Sequence, residues 1–197
     1  MGKIRYGAFR KKDYVRVIKV IRDILCEKFG YKRKPNIYET KLDKNYFMVF
    51  VHGEGEYAIL YDYKQFKKAF GNEDFDIQKA YVASIMAHEM RHYYQHRKMG
   101  AKIPKEEAET IARWKDNELN YKHVQDGCSV SEFYTQALEL DATLYEYVFG
   151  AKIFGLLILH AIKDENHFNA MENLYIKYFG KTDGVLFNDD IRKKIKN

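Results

Sequence analysis

Three histidines and one glutamate lie within nine positions of one another in the segment SIMAHEMRHYYQH, residues 84 to 96. His88 and His92 are four positions apart, so on a helix both rings project from the same face, one turn apart. Two imidazoles at this spacing are a common pair of zinc ligands. The segment is therefore predicted to be a helix that binds Zn2+.

Glu89 adds a second chemical role to this segment. It lies about 100° round the helix from His88, where its carboxylate can reach a water in the open position of the ion. A metal lowers the pKa of bound water, and a neighbouring carboxylate accepts the proton during attack on a carbonyl. Glu89 is therefore predicted to be the general base of a hydrolase.

The identity of the third ligand distinguishes one class of zinc site from another. Positions 95 and 98 are Gln95 and Lys98, which excludes the metzincin pattern. His96 lies two turns from His88, and a straight helix cannot wrap three ligands round one ion, so His96 is predicted at a cleft rim or on the surface. A glutamate from a later helix is the common alternative. The candidates are Glu106, Glu107, Glu109, Glu118, Glu132, Glu139 and Glu146.

Glu139 is the preferred candidate because its surroundings, QALELDATLY, are apolar. A carboxylate in such a helix is costly to bury unless it is paired or coordinated. The candidates in the charged segment 101–128 are better explained as a solvated face. Glu132 is the reserve, since it falls two turns before Glu139 on nearly the same face.

The motif HEMRH followed by ELDA resembles the gluzincin branch of the zincin metallopeptidases. More loosely, it is similar to the small ImmA/IrrE-like zincins of Firmicutes genomes and their prophages. The resemblance implies a sheet, an HExxH helix and a later helix that carries a glutamate. It also implies that His88, His92 and Glu139 are zinc ligands and that Glu89 is the general base. Asp141 would contact a ligand histidine without itself binding the metal.

A hydrolase of this class needs a donor that stabilises the oxyanion of the tetrahedral intermediate. His123 is the preferred candidate, because it follows the charged segment 101–128 and could fold over the cleft. For Tyr93, Tyr94 and Tyr134, a packing role is the more common explanation for tyrosine. His160 and His167 lie near an apolar helix and a helix start, which favours core or capping roles.

Composition bounds the remaining possibilities. The 197 residues, 46% of them hydrophobic, suit one folded domain, 1–197. The net charge of +6 is spread along the chain, so nucleic-acid binding is not expected. The longest apolar run, IFGLLILHAI, is too short to cross a membrane, and the N-terminus lacks an apolar signal region. Together with Cys26 and Cys128 as reduced thiols, this predicts a cytoplasmic protein.

Hydrophobic periodicity predicts an α+β domain, in which a small antiparallel-containing sheet precedes the HExxH helix and C-terminal helices. The strand at 56–63 is expected to offer its edge to an extended peptide. Segment 101–128 is a candidate lid, and Gly150 is expected to divide two helices. The elements expected are a helix over 13–29, a strand over 37–42, a hairpin over 45–63, and helices over 64–70, 76–99, 131–149 and 165–179.

These features predict a soluble zinc peptidase with a peptide or protein substrate. The alternative is a zinc-containing regulatory or interaction protein, associated with nucleic acid through the basic helix 10–22. Glu89 separates the two, because a structural zinc site needs no general base and closes its fourth position with protein.

Overall fold

The computed structural model describes residues 9–43, 46–101, 108–123 and 126–154. Within them the chain is α+β, with six helices and one small mixed sheet. The first helix, α1, spans Lys11–Phe29 and ends at Gly30, whose φ of 73° is the left-handed conformation that glycine adopts readily. It begins two residues earlier than expected, because the Asp13 carboxylate accepts the Arg10 backbone N–H at 3.0 Å from inside the first turn.

Three strands form the sheet: β1 (Asn36–Glu39), β2 (Met48–Gly53) and β3 (Glu56–Tyr61). The strand order is β1-β3-β2, with β1 parallel and β2 antiparallel to β3. The predicted hairpin is confirmed. The prediction that the 56–63 strand offers a free edge is wrong, since β3 is the central strand and both its edges are paired. Among the described strands, β2 and β1 form the two edges.

The helix α2, Tyr63–Phe70, leads from the sheet to the long helix α3, Phe75–Met99. The Asp62 carboxylate begins α2 by accepting the Gln65 backbone N–H at 2.9 Å. The 25 residues of α3 carry the HEMRH motif, as predicted, and the helix ends at Gly100. It packs against α1 and β2 through fully buried side chains that include Met86 and Met90.

Three helices follow α3: α4 (Ala108–Leu119), α5 (Val130–Thr135) and α6 (Ala137–Phe154). Ser129 caps α5. The helical conformation is interrupted at Gln136, whose ψ of 144° is extended, so α5 and α6 are separate helices. The prediction that Gly150 divides two helices is wrong, because α6 continues to residue 154. Phe149 and Ile153 are buried on either side of Gly150, and their packing offsets the helix penalty of glycine, about 1 kcal/mol. The helix expected over 165–179 lies outside the described residues.

Two apolar clusters hold these helices together. The larger cluster joins α1, the sheet, α2, α3 and α6. The smaller cluster contains Met99 of α3, Ile111 and Trp114 of α4, and Leu138 of α6. The described part of the candidate lid is therefore anchored, since α4 buries Ile111 and Trp114 against α3 and α6.

A buried ion pair links α3 to α6 beside these clusters. The Nε of Arg91 donates to Oδ1 and Oδ2 of Asp141 at 3.1 and 2.9 Å, and Asp141 is 0% exposed. The Arg91 guanidinium also lies over the rings of Tyr94, Trp114 and Tyr145. The pair therefore fixes the angle at which α6 meets α3.

We expect Asp141→Ala to lower the free energy of unfolding by about 3 kcal/mol, because it leaves a buried guanidinium without its carboxylate. Urea denaturation of the metal-free protein measures this change. The double variant Arg91→Met, Asp141→Leu removes both charges and should recover most of the loss. An unchanged midpoint for Asp141→Ala alone would show that the pair does not stabilise the fold.

Candidate metal centre

Two helices bring three ligand atoms together at one point. His88 and His92 project from one face of α3, and Glu139 reaches them from the first turn of α6. His88 Nε2 lies 3.0 Å from His92 Nε2 and 3.4 Å from Glu139 Oε2, and His92 Nε2 lies 3.3 Å from Glu139 Oε1. Ligands held 2.0–2.1 Å from a tetrahedral zinc ion are about 3.3 Å apart. The spacing in the protein is therefore that of an ion's first coordination shell.

The ring of His92 is held with a lone pair facing this point. Its Nδ1 lies 2.9 Å from Gln95 Oε1. The Gln95 amide nitrogen donates to Leu138 O at 3.0 Å and to Asp141 Oδ2 at 2.6 Å, which leaves Oε1 to face His92. An oxygen acceptor at Nδ1 requires the proton there, so Nε2 is free to bind a metal.

Further side chains surround the other two ligands. His88 Nδ1 lies 3.2 Å from Glu146 Oε2, although the pair is not aligned for a hydrogen bond. The hydroxyl of Tyr121 donates to Glu139 Oε1. Metal-binding histidines are commonly supported by a carboxylate on the other ring nitrogen. Glu146 and Tyr121 are therefore placed to orient His88 and Glu139.

Burial and charge act against each other in this cluster. Burial lowers the pKa of both histidines, but the carboxylates of Glu139, Glu89 and, for His88, Glu146 outweigh it and hold each pKa above its usual value. Burial raises the pKa of Glu139, and the two imidazoles outweigh that effect, so this pKa is lowered. In the metal-free chain the negative charge of Glu139 thus favours a proton on the rings that face it. A divalent cation would replace those protons as the compensating charge.

Glu89 is buried at the sheet side of the cluster, 7% exposed. Its Oε2 accepts the backbone N–H of Phe50 at 2.7 Å, so β2 fixes the carboxylate. Burial raises the pKa of Glu89, and the neighbouring His88 and His92 only partly counteract it. A carboxylate with a raised pKa is better matched to accepting a proton near neutral pH than an ordinary glutamate.

Two predicted site residues have different neighbours from those expected. Asp141 was expected to support a ligand histidine, but its contact with His92 runs through the amide of Gln95. His123 was expected to stabilise an oxyanion, but it is exposed and its ring packs 4.9 Å from that of Tyr121. Tyr121, two positions earlier, is the residue of that segment that reaches a predicted ligand.

The other described candidates for the third ligand do not belong to the group of ligand atoms formed by His88, His92 and Glu139. Glu109 pairs with Arg113, and Glu132 accepts the Ser129 backbone N–H at 2.9 Å in a capping box. Glu118 lies against His52 and His96. Glu146 lies against Nδ1 of His88, the ring nitrogen that does not contact Glu139. Glu106 and Glu107 lie outside the described residues.

The three tyrosines considered as oxyanion donors lie in different surroundings. Tyr93 donates its hydroxyl to Arg33 O at 2.6 Å, and Tyr94 packs beside Trp114. Tyr134 is 49% exposed, and its pKa is raised by burial and by the charges of Glu146 and Glu139, with His88 acting against them. Tyr134 therefore lies within electrostatic reach of the cluster.

The donor set fits zinc. Two neutral imidazoles and one carboxylate are ligands that zinc prefers, and three protein ligands with a fourth position left for water are typical of its catalytic sites. Among the described residues, no further histidine, cysteine, aspartate or glutamate joins this group. Two Nε2 lone pairs that face each other at 3.0 Å would otherwise need a proton between them.

Sequence reasoning missed the contacts made by Gln95, Tyr121 and the amide of Phe50, and it considered Glu146 as a ligand but not as a neighbour of His88 Nδ1. Gln95 carried a usable signal, because it lies three positions after His92 and so on the same helix face. The other contacts depend on how α6, the 120–123 segment and β2 pack against α3, which no local spacing encodes.

Comparisons with protein-family models, with curated proteins and with solved structures gave no match to this chain. In the part of the chain that the structure describes, no helix is both long and apolar enough to cross a membrane.

Proposed function

We propose that this protein is a zinc-dependent peptidase of gluzincin type that hydrolyses a peptide or protein substrate in the cytoplasm. One observation carries the proposal. The ligand atoms of His88, His92 and Glu139 lie 3.0 to 3.4 Å from one another, beside a buried carboxylate, Glu89, that a strand amide fixes. A site that only stabilised the fold would have no use for that carboxylate.

Zinc in this site would supply a Lewis acid that polarises the scissile carbonyl and makes water nucleophilic near neutral pH. Glu89 accepts the proton of the attacking water and passes it to the leaving amine. Its raised pKa suits both steps, since the carboxylate must release the proton as well as take it. Gln95 keeps the proton of His92 on Nδ1 throughout, which preserves the ligand lone pair on Nε2.

The edge of β2 is the proposed binding surface for an extended peptide. The Phe50 N–H points toward Glu89 and not into the β2-β3 ladder, so this side of β2 borders the catalytic carboxylate. A peptide paired with that edge would be held by backbone hydrogen bonds, with little dependence on its sequence. Tyr134, half-exposed beside the cluster, replaces His123 as the proposed oxyanion donor.

The competing proposal is a zinc-containing regulatory protein that acts by binding. Its support is the low exposure of the predicted ligands, 13% for His88, 16% for His92 and 5% for Glu139. The hydroxyl of Tyr121 also lies on Glu139, where it would help to close the site. The peptidase is favoured because a purely structural zinc site needs no general base beside its ligands, whereas here a buried carboxylate with a raised pKa lies there.

A peptide-mixture assay tests the proposal. The purified chain, loaded with zinc, is incubated with peptides of varied sequence, and products are identified by mass spectrometry. We expect cleavage that stops on chelation and returns when zinc is restored, because the water is activated only in the metal site. Cleavage that survives chelation would exclude a metallopeptidase. Zinc-loaded protein that leaves every peptide intact would favour the regulatory alternative.

A further inference from the structure

A second group of potential metal ligands lies one helical turn beyond the first. His52 is near the end of β2, His96 is in the last turn of α3, and Glu118 is in the last turn of α4. Each offers a ligand atom within 4.8 Å of the other two. Glu118 Oε1 lies 3.7 Å from His52 Nε2 and 3.6 Å from His96 Nε2. These distances are close to the ligand spacing of about 3.3 Å in a tetrahedral zinc site.

The two imidazoles are held together by packing. Their ring centroids are 3.8 Å apart, and Phe50 lies near both, 5.7 Å from the ring of His52 and 6.3 Å from that of His96. Tyr57 packs 5.5 Å from the ring of His96. Two imidazoles in contact at an interplanar angle of 38°, with one carboxylate between their Nε2 atoms, form a convergent donor set of nitrogen and oxygen, the kind that borderline divalent metals select.

We propose that His52, His96 and Glu118 form a second site for a divalent transition metal, with zinc as the representative ion. The side chains of His52, His96 and Glu118 are 42%, 26% and 39% exposed, so an ion can enter from solvent. The proposal is independent of peptidase activity, because it needs only these three side chains.

The second site binds more weakly than the first. The first site has one ring nitrogen held by an outer contact, since His92 Nδ1 lies against Gln95, whereas the Nδ1 atoms of His88 and of His96 in the second site are buried without a hydrogen-bond partner among the described residues. Loss of such an outer contact typically lowers metal affinity 10- to 100-fold. The second site also lies nearer to solvent.

An ion in this site would fasten the end of α4 to the sheet. Glu118 is three positions before Tyr121, whose hydroxyl contacts Glu139 of the first site. Without the ion, a polar link between α4 and β2 in the described part of the chain is the contact of Glu118 with His52. The second metal would therefore set the position of the segment that carries Tyr121.

Zinc titration of the wild-type chain, two ligand variants and one control variant tests the inference. His52→Ala and Glu118→Ala each remove one exposed ligand, and Glu109→Ala, an exposed glutamate on the same helix, is the matched control. Isothermal titration with zinc alone should show one fewer equivalent in each ligand variant than in the wild type or the control. The missing equivalent should be the weaker one.

The test depends on the difference in zinc stoichiometry between each ligand variant and the wild type. If the first site did not bind zinc, the count would fall in every protein alike, so this result would not be mistaken for failure of the second site. If His52→Ala and Glu118→Ala bind as many zinc equivalents as the wild type, the inference is overturned. Loss of an equivalent in Glu109→Ala would overturn it as well, because the effect would then not depend on the three ligands.

Discussion

Glu89→Gln should retain zinc and lose hydrolysis by roughly 100- to 10,000-fold, the usual contribution of a general base. The amide has nearly the shape of the carboxylate, and its oxygen can still accept the Phe50 N–H that now lies 2.7 Å from Glu89 Oε2. It cannot accept a proton from water at neutral pH. Parallel zinc analysis and initial rates of peptide cleavage measure the two properties separately.

Glu109→Gln is the matched control, since Glu109 is an exposed helical glutamate paired with Arg113. It should change neither zinc content nor rate. Full activity in Glu89→Gln would contradict the assignment of Glu89 as the base. Loss of zinc from the same variant would show that Glu89 supports the metal site, and the rate would then say nothing about proton transfer.

Glu139→Ala should weaken zinc binding more than the 10- to 100-fold that is typical for loss of an outer contact, because it removes a ligand itself. Only the two imidazoles of His88 and His92 would remain, and two ligands do not make a stable zinc site. Competition against a chromophoric chelator measures the change in affinity. Far-UV circular dichroism checks that α6 still forms.

Glu132→Ala is the control for Glu139→Ala. Glu132 was the reserve ligand in the sequence, yet in the structure it accepts the backbone N–H of Ser129 at the start of α5. Its loss should weaken the capping box at the start of α5 and leave zinc affinity unchanged. If Glu132→Ala weakens zinc binding and Glu139→Ala does not, the third ligand has been assigned to the wrong residue.

The spacing of residues along one helix is enough to predict only part of the candidate site. His88 and His92 meet because an α-helix places residues four apart on one face. Glu139 was found by a different argument, since an acidic residue among Leu138, Leu140 and Ala142 is costly to bury without a partner. In the structure Glu139 is 4% exposed and lies on both imidazoles, although its role as a ligand stays a prediction.

What could not be predicted depends on contacts between elements distant in sequence. The contact of Tyr121 with Glu139 follows from how the chain leaves α4, and the pairing of Glu118 with His96 needs α4 to cross the end of α3. The free edge of the sheet was assigned to the wrong strand for the same reason. The sequence marks a hairpin, but only the parallel pairing of β1 makes β3 the central strand.

The most direct test of the metal site is X-ray absorption at the zinc edge, on the His52→Ala chain loaded with one equivalent of zinc. That background removes the second site, so the signal reports the ion at His88, His92 and Glu139. We predict four nitrogen or oxygen ligands at about 2.0–2.1 Å, with the scattering pattern of two imidazoles. A coordination shell that contains sulfur, or a chain that retains no zinc after dialysis against metal-free buffer, would contradict the site.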